Sequence, residues 1–252
     1  MSELQGRIAL VTGSSRGIGA AIARLFAERG ASVIVHGRDV DAVNAVTASI
    51  SERGGHAVSA IADLTRYEQI ETMRGSIEQS LGPVDILVAN AGGSTVRPGP
   101  MEDVAVADWR ESLEGNLTST FLTAKAFLPG MKRRRHGTII TMSSAAARRP
   151  TAQSPVAYAA AKAGVEVLSK ELAAQAGPDG VRVNCIAPET ILTERNQQQI
   201  PATIQEQLRH THPIRRLGTP EDVAHAALYL ASDHSSWISG ITLDIAGGSV
   251  LV

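Results

Sequence analysis

A single cysteine, Cys185, stands among the 252 residues, and aromatic side chains make up only 3% of them. A lone thiol closes no intrachain disulfide, and the seven scattered histidines offer no metal-ligand spacing, so a reducing, cytoplasmic compartment is expected and a metal site is not. Scarce aromatics argue against a groove that stacks single-stranded bases. Neither sign of charge is in excess: 24 Lys+Arg against 25 Asp+Glu leave a net charge of -1. Nucleic-acid and anionic-membrane partners both need a sustained cationic surplus, so neither is expected. No apolar run nears the roughly 20 residues of a membrane span. The opening MSELQGR lacks the apolar core of a secretory leader. No repeat, linker or composition shift divides the chain, which reads as one domain over 1–252.

What the sequence does have is alternation. Short β-branched runs at 7–11, 32–36, 56–61, 84–89, 138–142, 181–186 and 241–245 are separated by segments with helical periodicity at 18–29, 40–53, 68–80, 104–135, 156–176 and 221–231. Strands apolar on both faces, alternating with helices, predict a single doubly wound parallel α/β sheet, Rossmann-like, of about seven strands with helices on both faces. The one long polar interval, 193–212, is Gln-rich and strandless, and reads as a substrate lid.

Two motifs carry chemistry. After the first strand the chain runs Thr12-Gly13-Ser14-Ser15-Arg16-Gly17-Ile18-Gly19 into a helix, a form suited to a pyrophosphate at the helix N-terminus. Its plain alternative is a tight strand-to-helix turn. On a later helix Tyr158 and Lys162 share one face four residues apart, with Ser143-Ser144 ending the strand before. A nearby ammonium favours a phenolate, so Lys162 is expected to lower the Tyr158 pKa towards neutrality. An isolated Tyr/Lys pair is otherwise a solvated helix face.

With these motifs in order, the sequence resembles the short-chain dehydrogenase/reductase family over nearly its whole length. The match runs through Thr12–Gly19, Asp63-Leu64, Asn90-Ala91-Gly92, Asn116, Ser144, Tyr158-x-x-x-Lys162 and Pro188 to Thr193, and the 3-oxoacyl-carrier-protein reductase branch is the most similar. The resemblance implies hydride transfer between C4 of a nicotinamide and a ketone or secondary alcohol. Tyr158 would be the general acid or base, Lys162 its pKa modulator and ribose ligand, Ser144 the holder of the substrate oxygen, and Asn116 the support of a proton-relay water. For Asn116 the alternative is a helix-interior amide bonding its own backbone. The segment between Ser144 and Tyr158 is one residue longer than usual in this branch, and Ser143 is the other serine available.

The resemblance also implies a cofactor site made by Gly13, Ser15, Arg16, Gly17, Ile18, Gly19, Arg38, Asp63, Leu64, Asn90, Ala91, Gly92, Tyr158, Lys162, Pro188, Ile191 and Thr193. NADP(H) is the expected cofactor: Gly37 stands where NAD-preferring members carry Asp, and Arg16 and Arg38 suit a 2′-phosphate. Asp39 is read as the N-cap of the next helix. Glu189 replaces a usual Gly, so either its backbone is strained or its carboxylate faces the substrate.

Positions 93–97 and 145–149 are further pocket candidates, and Arg97, Arg148, Arg149 and Arg195 would suit an anionic substrate if they are not simply solvated. The run Lys132-Arg133-Arg134-Arg135-His136 suits a helix C-terminus; by resemblance it could dock an acidic acyl carrier, although Asp179 stands where a second docking arginine is usual. The expected partner is a small-molecule carbonyl, free or carrier-bound, and the family implies a homotetramer. A catalytically idle NADP(H)-binding regulator is the alternative function. A sugar-nucleotide epimerase would need more chain.

Overall fold

The structure is a computed structural model that describes residues 2–94, 98–150 and 155–251. In chain order it comprises β1 (Ile8–Val11), α1 (Gly17–Glu28), β2 (Ser32–Gly37), α2 (Val40–Ser51), β3 (His56–Ile61), α3 (Tyr67–Ser80), β4 (Ile86–Ala89), α4 (Val106–Leu113), α5 (Ser119–Arg134), β5 (Gly137–Met142), α6 (Ala145–Arg148), α7 (Val156–Ala176), β6 (Val181–Pro188), α8 (Glu194–Gln199), α9 (Ala202–Thr211), α10 (Pro220–Ala231) and β7 (Thr242–Ile245). The seven strands form one parallel sheet in the order β3-β2-β1-β4-β5-β6-β7. This is the doubly wound Rossmann-like architecture that the alternation predicts.

Side-chain alternation explains why both faces are covered. Ala9 and Val11, Val33 and Val35, and Ile86 and Val88 point into one core, completed by α1, α2 and α10. Leu10, Ile34, Leu87 and Ile139 point the other way, against α3 and α5. The edge strands β3 and β7 keep partly exposed residues along most of their length, since no described strand pairs beyond them.

The helix expected over 104–135 is interrupted. Between α4 and α5 the five residues Glu114–Thr118 form a π-helical turn, which carries Asn116. Such turns arise where a side chain competes for the local ladder, and Asn116 Nδ2 donates to the Ser112 carbonyl at 2.9 Å. The 193–212 interval, expected as a lid without a strand, holds two helices. Thr193 caps α8, its Oγ1 accepting the Asn196 N–H at 3.2 Å. Among the described residues no helix is long and apolar enough to cross a membrane.

Candidate active site

The strand order reverses between β1 and β4, and the crevice beyond their carboxyl ends is where open parallel sheets bind ligands. A cavity of about 730 Å³ occupies it, lined by Gly13, Ser15 and Arg16 after β1, Arg38 after β2, Asp63 and Leu64 after β3, and Ala91 and Gly92 after β4. Gly13 has φ of 63°, and a Cβ there would stand 2.9 Å from the Ala91 Cα. A side chain at Gly92 would meet the Asn116 Oδ1 at 2.5 Å. These glycines therefore keep two cavity-wall turns in close approach.

The turn after β1 is held by its neighbours. Asn90 Nδ2 donates to the carbonyls of Thr12 and Gly13 at 3.0 and 3.2 Å, so this side chain supports the turn. Gly19 is buried and Gly17 abuts Thr193 on the lid side, while Ile18 packs on the core. Asp63 accepts from the Thr65 N–H at 3.0 Å and its hydroxyl at 2.8 Å, which holds its carboxyl below the usual range. Asp39 caps α2, Oδ1 accepting the Ala42 N–H at 3.1 Å, as the sequence suggests. Its other oxygen pairs with Arg16 at 2.9 Å, while Arg38 is exposed at the rim.

One residue of this wall escaped the sequence reading. His36 is buried at the end of β2, its Nδ1 accepting the Gly13 N–H at 3.2 Å and its Nε2 facing the Ala62 carbonyl at 3.1 Å. Burial pushes its pKa down to about 4, so the ring is neutral and links the turns after β1 and β3. A polar residue ending the apolar run Val33-Ile34-Val35 was the available signal.

After β5, Ser144 rather than Ser143 is the serine placed to act on the Tyr158 phenol, where it favours the phenolate. Ser144 caps α6, accepting the Ala146 N–H at 3.2 Å. Ser143 points elsewhere, donating to Glu166 Oε1 at 2.7 Å. Lys162 follows Tyr158 by one turn of α7, is buried, and donates from Nζ to the Met142 carbonyl at 2.8 Å. Its Nζ lies 5.7 Å from the centre of the Tyr158 ring.

The electrostatics correct one expectation. Burial raises the Tyr158 pKa, and Ser144 opposes this only in part. The same burial pushes Lys162 down to about 8. Desolvation penalises both charged forms, and the ammonium donates to the Met142 carbonyl. Asn116 is buried opposite, its Oδ1 accepting the Gly93 N–H at 2.9 Å and its Nδ2 donating to the Gly93 carbonyl at 3.1 Å. It therefore bonds across to the β4 loop as well as to its own helix.

The remaining candidates separate. Pro188 ends β6, and the Ile191 side chain packs into the core rather than the crevice. Glu189 has no positive φ, so its backbone is not strained, and its carboxylate meets His212 at 2.7 Å instead of facing the cavity. Arg148 is committed to Asp244 at 3.1 and 3.2 Å and to Glu166 at 3.2 Å, and Arg149 to the Ser249 carbonyl at 3.0 Å, which removes both as free anion ligands. Arg195 does line the cavity. Thr95, Val96 and Arg97 lie outside the described residues. The basic run is engaged internally: Lys132 pairs with Asp179 at 2.9 Å, and Arg134 and Arg135 donate to the carbonyls of Val84 and Pro178. Among the described residues no group of three or more His, Cys, Asp or Glu could hold a metal ion.

A family model described as enoyl-(acyl carrier protein) reductase matches residues 13–249. A 7alpha-hydroxysteroid dehydrogenase of Escherichia coli (strain K12) is 40% identical over 249 residues, 98% of this chain and 96% of that protein. The chain belongs to the short-chain dehydrogenase/reductase family. As a family member it is an oxidoreductase. A 3-oxoacyl-[acyl-carrier-protein] reductase, FabG, of Vibrio cholerae is 39% identical, with 99% of this chain and 100% of that one covered. A solved 7 alpha-hydroxysteroid dehydrogenase, complexed with NADH and 7-oxo glycochenodeoxycholic acid, superposes with a TM-score of 0.93 at 39% identity over 98% of this chain and 96% of that one. A gluconate 5-dehydrogenase from Burkholderia cenocepacia, in complex with NADP and tartrate, superposes with a TM-score of 0.92 at 32% identity over 98% and 96%. These short-chain dehydrogenase/reductase relatives hold nicotinamide cofactors of both kinds and act on unrelated small molecules.

Proposed function

We propose that this protein is an NADP(H)-dependent reductase of small ketones, with 1–252 as one catalytic domain and 193–212 as its lid. The carrying observation is the grouping of Ser144, Tyr158 and buried Lys162, with the Lys162 Nζ lying directly behind Gly92 of the cavity wall. The close-approach wall at Gly13 and Gly92 leaves room for a dinucleotide, and about 730 Å³ accommodates much of one. Gly13, Ser15, Gly17, Gly19, Asp63, Leu64, Ala91 and Gly92 would hold it. Arg38 and Arg16 support the phosphorylated form, since the acid beside them, Asp39, is spent on capping α2 and on Arg16.

A nicotinamide held in this crevice would supply the hydride for the carbonyl carbon. Ser144 then donates to the carbonyl oxygen and Tyr158 transfers its proton to it as charge develops there. A tyrosine with a raised pKa is protonated at neutral pH, the state a general acid needs for reduction. Lys162, close to half-protonated near pH 8, replenishes that proton along the path bordered by Asn116. With Lys132, Arg134 and Arg135 engaged internally, a free ketone is favoured over a carrier-bound one. Exposed Trp109, Phe121 and Val167 on α4, α5 and α7 suit the homotetramer expected from the sequence.

The test is NADPH and NADH consumption with a panel of cyclic ketones, sugars, steroids and β-ketoacyl thioesters. Turnover with NADPH in preference to NADH supports the reading. Tight NADPH binding with no turnover of any carbonyl would leave a cofactor-binding regulator instead.

A further inference from the structure

Helices α8 and α9 carry no buried residue, and across 193–212 the only buried side chain is His212. A segment of that length gains little from apolar burial, so its position rests on a few directed contacts. His212 makes two. Its Nδ1 faces the Leu208 carbonyl at 2.6 Å, at the C-terminal end of α9, and its Nε2 faces Glu189 Oε2 at 2.7 Å. Glu189 belongs to the short loop after β6, whose backbone is fastened on both sides: Glu189 N–H donates to the Ile245 carbonyl at 3.1 Å and Gly218 N–H to the Thr190 carbonyl at 3.2 Å. The same carboxylate oxygen accepts the Thr190 N–H at 2.5 Å.

Both ring nitrogens thus face oxygen atoms, one of a backbone carbonyl and one of a carboxylate. The contact between His212 and the carboxylate is shielded from water, with side-chain exposures of 3% for His212 and 16% for Glu189. The far end of the 193–212 segment is therefore tied by the His212 side chain to a loop that the sheet immobilises, and just beyond it the Ile214 N–H donates to the Gly247 carbonyl at 3.0 Å. Thr193, at the near end, abuts Gly17 of the cofactor turn.

We propose that Glu189 and His212 are positioning residues that form a latch, holding the 193–212 lid over the crevice and thereby setting affinity for the carbonyl substrate. The catalytic half of this statement rests on the ketone-reductase reading above; the latch itself does not. Neither residue touches the reacting atoms, so the latch acts through the lid's closed population, which enters KM more than kcat.

The test compares Glu189→Ala, His212→Ala, the double variant and Glu189→Gln in the full-length protein. Hydrogen exchange of the α9 amides reads the latch without any activity, with β4 and β5 amides as the control for an intact fold. In both single alanine variants we expect α9 exchange to accelerate by about tenfold while the strand amides keep their protection. The ketone KM should rise by about the same factor with kcat within about twofold. The double variant should be no worse than His212→Ala, because the contact to Glu189 is already lost there. Glu189→Gln offers an amide N–H to a neutral Nε2 and should stay near the wild type. Unchanged α9 exchange in the single variants, or additive effects in the double, would overturn the latch. Absent ketone turnover in the wild type would sink the reductase reading alone, and exchange would still decide the latch.

Discussion

His36 Nδ1 accepts the backbone N–H of Gly13 at 3.2 Å, and the same ring reaches the Ala62 carbonyl through Nε2 at 3.1 Å. One buried imidazole therefore ties the glycine turn to the loop carrying Asp63. This ring must stay neutral to accept from Gly13. Its folded pKa of about 4 lies below the unfolded value of 6.5, so the native state resists a proton that the unfolded chain takes up. Stability from this group is complete above about pH 6.5 and is lost as pH falls towards 4, by about 3 kcal/mol in all. Urea unfolding at pH 7 and pH 4.5 should show the wild type losing more stability than His36→Asn. Equal losses in the two proteins would remove the His36 contribution.

Tyr158→Phe keeps the ring and removes the proton. Ketone reduction should fall by about 10²–10⁴-fold while NADPH binding, followed by fluorescence titration, changes little. Unaltered turnover would be incompatible with the proposed chemistry.

Lys162 is pushed down to about 8, so its ammonium is present below that pH and lost above it. If the ammonium feeds the Tyr158 proton, kcat/KM for reduction should hold a plateau at lower pH and decline through about pH 8. A guanidinium does not titrate there, so Lys162→Arg should be slower but without that limb. A wild-type profile flat to pH 9 would count against the relay.

Arg38→Ala should lower the preference for NADPH over NADH by roughly tenfold to a hundredfold, the worth of a charge-assisted bond to a phosphate. Its signature is a raised NADPH KM with NADH kinetics unmoved. A loss shared equally by both cofactors would mean that Arg38 does not read the 2′-phosphate.

Arg148 braces Asp244 of β7 against Glu166 of α7, and Glu166 in turn receives Ser143. Arg148→Met leaves two part-buried carboxylates without their cation and should cost about 3 kcal/mol in thermal or denaturant unfolding. A variant as stable as the wild type would show that the carboxylates find other partners.

Residues whose meaning is local could be read from the sequence. The bounds of α7 were legible at both ends, and so was Asp39 as an N-cap, since capping and periodicity involve neighbours in the chain. The seven strands were visible because a parallel sheet buried on both faces requires continuous apolar runs, and the motif order pointed to the family. Less legible was the interruption at Glu114–Thr118, because it depends on what Asn116 meets across the crevice.

The sequence by itself determined the alternation of strands and helices, the glycine turn and the spacing that puts Tyr158 and Lys162 on one helical face. Only the tertiary structure decided which serine meets Tyr158, that burial raises its pKa, that Arg148 and Lys132 are already paired, and that Glu189 belongs to His212. The physical reason is common to all of these. Periodicity and capping are set within a few residues, whereas desolvation and the pairing of buried charges depend on groups brought together from distant parts of the chain.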